Sequence, residues 1–313
     1  MLGYILRRIL AVIPVMLLVA VFVFALLRLT PGDPAAIIAG DLAAPAQLER
    51  IREAMGLNQP VHIQFIKWIG QLLRGDMGTS LISNTPVSSM IADRIGPTLA
   101  IALLTIIMSI CIAVPMGVIA AWKHRSAADY AVMSFSVLGF SVPVFVIGYV
   151  FILIFSLKLG WFPVQGYTSI ISGFGPFLSN AFLPALTLTA IYVALIARMT
   201  RANMLEVMGE DYIRTARAKG APERRVLFRH ALKNAAVPIL TVIGSGFALL
   251  IGGVVVTETV FNIPGIGRLT VDAILARDYP VIQAMILLTS FLYVLVNLLI
   301  DLSYTFFDPR IRY

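Results

Sequence analysis

Six stretches of this chain carry no charge over lengths that match a bilayer, and that constrains its fold more than any motif. The hydrocarbon core of a membrane is about 30 Å thick and takes about 20 apolar residues to cross as a helix. Residues 9–27, 95–122, 130–157, 234–257 and 279–300 are free of Asp, Glu, Lys and Arg, and each holds one span. The sixth window, 159–197, is too long for one helix, and its first half carries Gly160, Pro163, Gly166, Gly173, Gly175 and Pro176, so its helix is expected to start near Phe182. Composition agrees: 59% of the 313 residues are hydrophobic and 13% are charged, against about 25% in soluble domains. The sequence predicts an all-α, polytopic membrane protein with six transmembrane helices.

Arg7 and Arg8 ahead of the first apolar run look like the start of a secretory signal. The run is long enough to span, however, and Arg28, Pro31, Asp33 and Pro34 follow it in place of a small-residue cleavage site. An uncleaved first helix is expected. Lys and Arg collect on the cytoplasmic side of membrane proteins. With the N-terminus inside, fifteen of the 24 basic residues fall on the inner side, the acids there leave it at +8, and the outer side balances to zero. Both termini are therefore placed in the cytoplasm, and the basic excess requires no nucleic-acid partner.

Two connections exceed what a helix hairpin needs. On the outer side, short helices are expected over 46–55 and 61–73, the second ended by the turn Gly75, Asp76, Met77, Gly78, and another short amphipathic helix begins at Pro86 and passes Ile91 and Ile95. Trp68 suits a membrane interface. This region reads as a cap over the outer mouth or a docking surface for a substrate-delivering partner. The inner connection, 198–233, holds nine of the fifteen inner basic residues. Residues 200–208 continue the fourth helix into the cytosol. Asp211 suits an N-cap for a helix over 212–219, Gly220 a terminating turn, and Pro222 with Glu223 the first turn of a helix reaching Leu232. Small Ala216, Ala218 and Gly220 would allow another protein close to the backbone, while binding of lipid head groups is the plainer use of the basic residues.

Several chemistries are disfavoured. Cys111 is the single cysteine and is expected to be a small buried side chain. His62, His124 and His230 lack ligand spacing, so no metal or other cofactor is assigned to this chain. No glycine-rich loop ends in Gly-Lys-Ser or Gly-Lys-Thr, no nucleophile elbow is present, and Gly244, Ser245, Gly246 is best read as close helix packing. Glu258 and Asp301 sit near helix ends, and no ionisable residue falls at the midpoint of any span. This argues against a gradient-driven carrier or channel, the main alternative, and leaves the driving force to another subunit. A non-transporting receptor or scaffold is a third possibility. Ser141, Pro143 and Asn297 are candidates for helix irregularities or pathway groups.

A series of short segments, in order, then carries a resemblance. They are Leu6-Arg7-Arg8-Ile9-Leu10, Thr30-Pro31-Gly32-Asp33-Pro34, Gly56-Leu57-Asn58-Gln59-Pro60 and Gly75-Asp76-Met77-Gly78-Thr79-Ser80, followed by Tyr212-Ile213-Arg214-Thr215-Ala216-Arg217-Ala218-Lys219-Gly220. His230-Ala231-Leu232-Lys233-Asn234-Ala235, Pro238, Glu258-Thr259-Val260-Phe261-Asn262-Ile263-Pro264-Gly265-Ile266-Gly267, Arg277-Asp278-Tyr279-Pro280 and Asp308-Pro309-Arg310 complete it. Together they resemble the membrane subunits of bacterial ABC importers for dipeptides, oligopeptides, nickel complexes and related solutes, and specifically the first of two paired permeases.

The resemblance implies a type I ABC importer permease fold in the bacterial inner membrane. It further implies a heterodimer with a second permease subunit, two cytoplasmic ATPase subunits that hold ATP and Mg, and an extracytoplasmic solute-binding protein. The chain itself would be no enzyme. Its inner loop would couple to the ATPase through Asp211, Tyr212, Arg214, Thr215, Ala216, Gly220 and Glu223. Arg214, Thr215 and Ala216 fall where the broader superfamily has Glu-Ala-Ala, so Glu223, Asp211 or the basic residues are left to supply the polar contact. The implied organisation is a transmembrane helix at 1–30, an extracytoplasmic short-helix region at 31–94, a five-helix core at 95–307 with the coupling loop at 198–237, and a tail at 308–313.

Overall fold

The computed structural model describes residues 2–29, 35, 45, 49, 52–53 and 57–307. The expected helix over 46–55, the Thr30–Pro34 motif and the Asp308–Arg310 motif lie wholly or largely outside the described residues. In chain order the helices are α1 (Leu2–Leu29), α2 (Val61–Leu73), α3 (Val87–Trp122), α4 (Ala127–Ser141), α5 (Val144–Phe151), α6 (Phe174–Met208), α7 (Asp211–Ala218), α8 (Leu232–Val260), α9 (Ile266–Leu275) and α10 (Tyr279–Phe307). Helix α5 runs on into a π-helical stretch, Ile152–Lys158. Among the described residues five helices are long and apolar enough to cross a membrane, and the bent pair α4–α5 has the length and apolarity of a sixth span, broken at its middle, or of a re-entrant loop.

Two compact units are present. One comprises residues 1–5, 94–268 and 293–313, and the other residues 6–93 and 269–292. In the first, α6 is the central helix, packed along α8 and α4. Its core joins Ile101 of α3, Ile152 beyond α5, Leu183 and Leu188 of α6, and Leu250, Val254 and Phe261 of α8 and its end. Phe162 stacks on Phe182 at 4.9 Å between ring centroids. Helix α6 starts at Phe174, eight residues ahead of the expected point, because Pro176 is harmless in a first turn, where its missing N–H has no partner to lose. Gly244 meets the Ile300 side chain so closely that a β-carbon would overlap it, so the Gly244, Ser245, Gly246 segment serves helix packing.

In the second unit, Pro60 opens α2 and the Gln64 amide donates to the Leu57 and Gln59 carbonyls at 3.0 and 2.7 Å. Phe24 of α1 meets Phe65 and Trp68 of α2 with ring centroids 5.1 and 5.6 Å apart. The turn after α2 is completed by Gly75 and Gly78, both at positive φ. There the Ser80 hydroxyl donates to Asp278 Oδ2 at 2.5 Å and the Leu81 amide to Oδ1 at 3.1 Å, which brings two distant sequence motifs together.

Three expectations change. The short helix at Pro86 is not separate: α3 is one helix of 36 residues, with Pro97 inside it at the loss of a single backbone hydrogen bond. The window 130–157 is not one straight helix, because α4 and α5 meet at a 103° bend around Val142 and Pro143. Cys111 is exposed, not buried; it sits in α3, where an apolar side chain can face lipid or another subunit as readily as the core.

Candidate functional site

The inner connection forms an ordered protrusion. Helix α6 ends at Met208, α7 follows within three residues, and the chain turns at Gly220, whose φ of +78° is left-handed backbone that suits glycine. A helical turn at Glu223–Arg225 and a π-helical stretch at Val226–Ala231 then lead without interruption into α8. The second helix of the protrusion therefore does not stop at Leu232. Nothing in 223–237 breaks helix, and the widened π turn absorbs the change in register. The protrusion hangs between two continuous helical rods. The 35 residues of α6 alone span about 52 Å.

A hydrophobic seam fixes its base. Ile213 is fully buried with Val226, Leu227 and Ala231, against Val118 and Ala121 of α3 and Met204 of α6. The outward side is polar. Arg217 grips Glu223 with two bonds, Nη2 to Oε1 at 2.7 Å and Nε to Oε2 at 3.2 Å, across the Gly220 turn. Arg214 pairs with Asp211 at 3.3 Å, and the Thr215 hydroxyl donates to the Asp211 carbonyl at 2.9 Å. Asp211 is not the N-cap. That position is Glu210, in extended conformation, and Asp211 is the first helical residue, where its charge still opposes the positive end of the helix dipole.

Arg214, Lys219 and Gly220 are exposed, Ala216 is half-buried, and a β-carbon on Gly220 would meet nothing within 4 Å. The exposed side also carries two aromatic rings, Tyr212 and Phe228, at 42% and 52% accessibility. Burial of part of the Tyr212 ring pushes its phenol above the usual tyrosine range, while a hydrogen bond with Asn234 acts the other way. Phe228 was missed in the sequence reading; a large aromatic between Arg225 and Arg229, off the buried seam of Val226 and Leu227, was the available signal.

Near the base of the protrusion a second cluster locks α6 to the α3–α4 connection. Asp129 is buried and accepts from Arg201 Nε, from Arg201 Nη2 at 2.8 Å and from the Arg125 amide at 2.9 Å, with His124 Nδ1 at 3.2 Å. Neither Asp129 nor Arg201 stood out in the sequence, since only the fold brings them together across 72 residues.

The other candidates do not converge. Ser141 is exposed at the end of α4 and its hydroxyl donates to the Val137 carbonyl at 2.9 Å, Pro143 stands exposed in the bend, and the Asn297 amide donates to the Tyr293 carbonyl at 3.0 Å on its own helix. No hydrogen bond among the described residues joins Asn297 to the bend. Among the described residues no group of His, Cys, Asp and Glu has the makings of a metal site.

Comparison with known proteins decides the family. Residues 113–313 match the binding-protein-dependent transport system inner membrane component, and residues 1–102 match the N-terminal region of such membrane components. The chain belongs to this permease family. It is 55% identical over 310 residues, 99% of each chain, to a peptide ABC transporter permease protein of Sinorhizobium fredii. It is 48% identical over the full length of both chains to a peptide transport system permease protein of Brucella abortus. It is also 44% identical over the full length of both to the glutathione transport system permease protein GsiC of Salmonella paratyphi A. The permease also shares its fold with a chain of the MetNI methionine ABC transporter in inward-facing form, at a TM-score of 0.59 and 17% identity over 70% of this chain and 96% of that one. It thus has the type I ABC importer permease fold and is a multi-pass inner-membrane transport component, and its family implies a paired permease and ATPase partners.

Proposed function

We propose that the permease forms, with a different but related permease subunit, the translocation pathway for dipeptides, oligopeptides or close relatives of them, and that ATP-driven closure of two ATPase subunits moves it between inward-facing and outward-facing states. An extracytoplasmic binding protein delivers the solute, and both termini lie in the cytoplasm. The peptide and glutathione permeases among its relatives support this substrate class. The single observation that carries the mechanism is the protrusion of residues 211–230, exposed at its tip and continuous with membrane-crossing helices on both sides.

The work divides between its residues. Tyr212, Ala216 and Gly220 give the ATPase a close approach, and Phe228 adds apolar area. Asp211, Arg214, Thr215 and Glu223 are the polar edge. Since Glu223 already neutralises Arg217 and Asp211 faces Arg214, the free charge offered to the ATPase is basic: Lys219, Arg224, Arg225 and Arg229, all outside the pairs formed within the protrusion. A force applied there is passed along α6 and α8 as rigid levers.

The test is reconstitution of both permeases, the ATPases and the binding protein in proteoliposomes. Peptide uptake is expected only with ATP, and a cysteine placed at Ala218 is expected to crosslink to the ATPase. Uptake by the purified chain alone without ATP, or crosslinks that never reach the ATPase, would refute the reading.

A further inference from the structure

The break between α4 and α5 lies near the middle of the charge-free window 130–157, with Val142 twelve residues from its start and fifteen from its end. Helix-breaking at such a depth strips the backbone of its partners. The Val142 amide still reaches the Leu138 carbonyl at 3.3 Å, and the Pro143 carbonyl accepts from Val146 and Ile147 at 3.0 and 3.3 Å. Between these, the carbonyls of Gly139, Phe140, Ser141 and Val142 and the amides of Val144 and Phe145 meet no hydrogen-bond partner among the described residues. Pro143 has no N–H to give Gly139. The hydroxyl hydrogen of Ser141 is spent on Val137, so its side chain supplies no donor.

Unpaired backbone at membrane depth is tolerated where it lines a water-filled cavity or is paired by protein, and not against lipid. This chain leaves the turn itself uncovered: Phe140, Ser141, Val142 and Pro143 are exposed, while Gly139 is half-buried against Ala190 and Ala194 of α6. A second permease built of apolar spans would have to bring a donor for each carbonyl, and each one left unmet would cost the desolvation of a buried polar group. Water and a passing solute meet that demand without such matching. The acceptors follow one another at the negative end of α4, with amide donors just beyond. That is the pattern a peptide's own main chain presents in reverse.

We infer that the α4–α5 break is a subsite of the pathway that hydrogen-bonds the main chain of a peptide substrate, N–H to the carbonyls of 140–142, without regard to its side chains. This rests on the peptide-transport reading above and deepens it: the groups used are those shared by all peptides, so selection among them falls to other components.

The experiment uses the assembled transporter in nanodiscs, with Cys111→Ser and a single new cysteine, Val142→Cys or, should that variant misassemble, Ser141→Cys. A membrane-impermeant thiol reagent is applied with and without nucleotide, in the presence of trialanine, triserine or a trialanine analogue whose amide N–H groups are replaced by ester oxygens. Labelling is expected in at least one nucleotide state. Trialanine and triserine are expected to slow it equally, by about tenfold at ten times the dissociation constant, and the ester analogue severalfold less. No labelling in any state, which would mean the break is covered by the partner permease or lipid, overturns the inference, as does equal protection by the ester. ATP-driven trialanine uptake by the unmodified transporter is measured in parallel. If uptake is present and the ester protects equally, only the subsite falls; if uptake is absent, the transport reading falls and the subsite with it.

Discussion

Thr98 and Glu258, 160 residues apart, are joined by a hydrogen bond of 2.5 Å in which the threonine hydroxyl donates to a fully buried carboxylate. The same hydroxyl accepts the Ile266 amide at 2.9 Å, and the other carboxylate oxygen accepts the Arg268 amide at 2.9 Å. The Glu258 side chain thus caps the start of α9 from inside the protein, taking up an amide that the first turn of a helix leaves without an intrahelical partner. A β-carbon at Gly265 would overlap the carboxylate.

Gly265→Ala is therefore expected to destabilise the permease by about 1–3 kcal/mol through overpacking. Thr98→Val removes the donor and should cost a similar amount, because the carboxylate stays buried. Thermal unfolding of the detergent-solubilised complex reads both. A melting temperature unchanged in both variants would show that the network contributes nothing.

Asp129→Ala leaves Arg201 half-buried with no carboxylate to face. Breaking such a pair from one side costs about 3–5 kcal/mol. The expected result is a sharp fall in the amount of folded permease in the membrane. Replacing both Asp129 and Arg201 with alanine should recover part of it, and a double-mutant cycle gives the coupling.

At Gly220 the left-handed backbone and the open space separate two effects. Gly220→Asn is expected to fold normally, since asparagine tolerates that conformation, whereas Gly220→Val pays about 1–2 kcal/mol of backbone strain. Both are expected to reduce ATPase co-purification, because any side chain stands at the tip. Full assembly and uptake with Gly220→Asn would remove Gly220 from the coupling surface.

The raised phenol of Tyr212 makes a pH-dependent contribution with a definite sign. Below the ordinary tyrosine range near 10 both folded and unfolded chains are neutral there and stability is unaffected. As pH rises past that point the unfolded chain ionises first, so stability falls until the folded-state phenol ionises as well. The difference in phenolate absorbance between the permease and Tyr212→Phe should accordingly appear above the usual range. A midpoint at or below it contradicts the burial seen here.

Sequence reading reached the helical protrusion and missed its joints. Polarity and turn residues near Gly220 placed α7 within a residue, because caps and turns are local chemistry. Asp211 was displaced by Glu210 as the cap, and the second helix ran on into α8, because whether a helix continues depends on what packs along it. Pro143 announced an irregularity, but not a 103° bend, since proline fixes its own φ and not the direction taken by the next helix. Cys111 illustrates the same limit: an apolar run says that a helix is in contact with something apolar, without saying which face meets protein.

The sequence by itself determined that this is an all-α membrane protein, how many times it can cross, and where its basic protrusion lies, because hydrophobic length and charge are properties of contiguous residues against a slab of fixed thickness. Only the tertiary structure decided that Glu258 would clamp Thr98, that Asp129 would lock Arg201, and that the bend would leave its carbonyls open. Those outcomes depend on which faces of distant helices meet, and no local run of residues encodes that meeting.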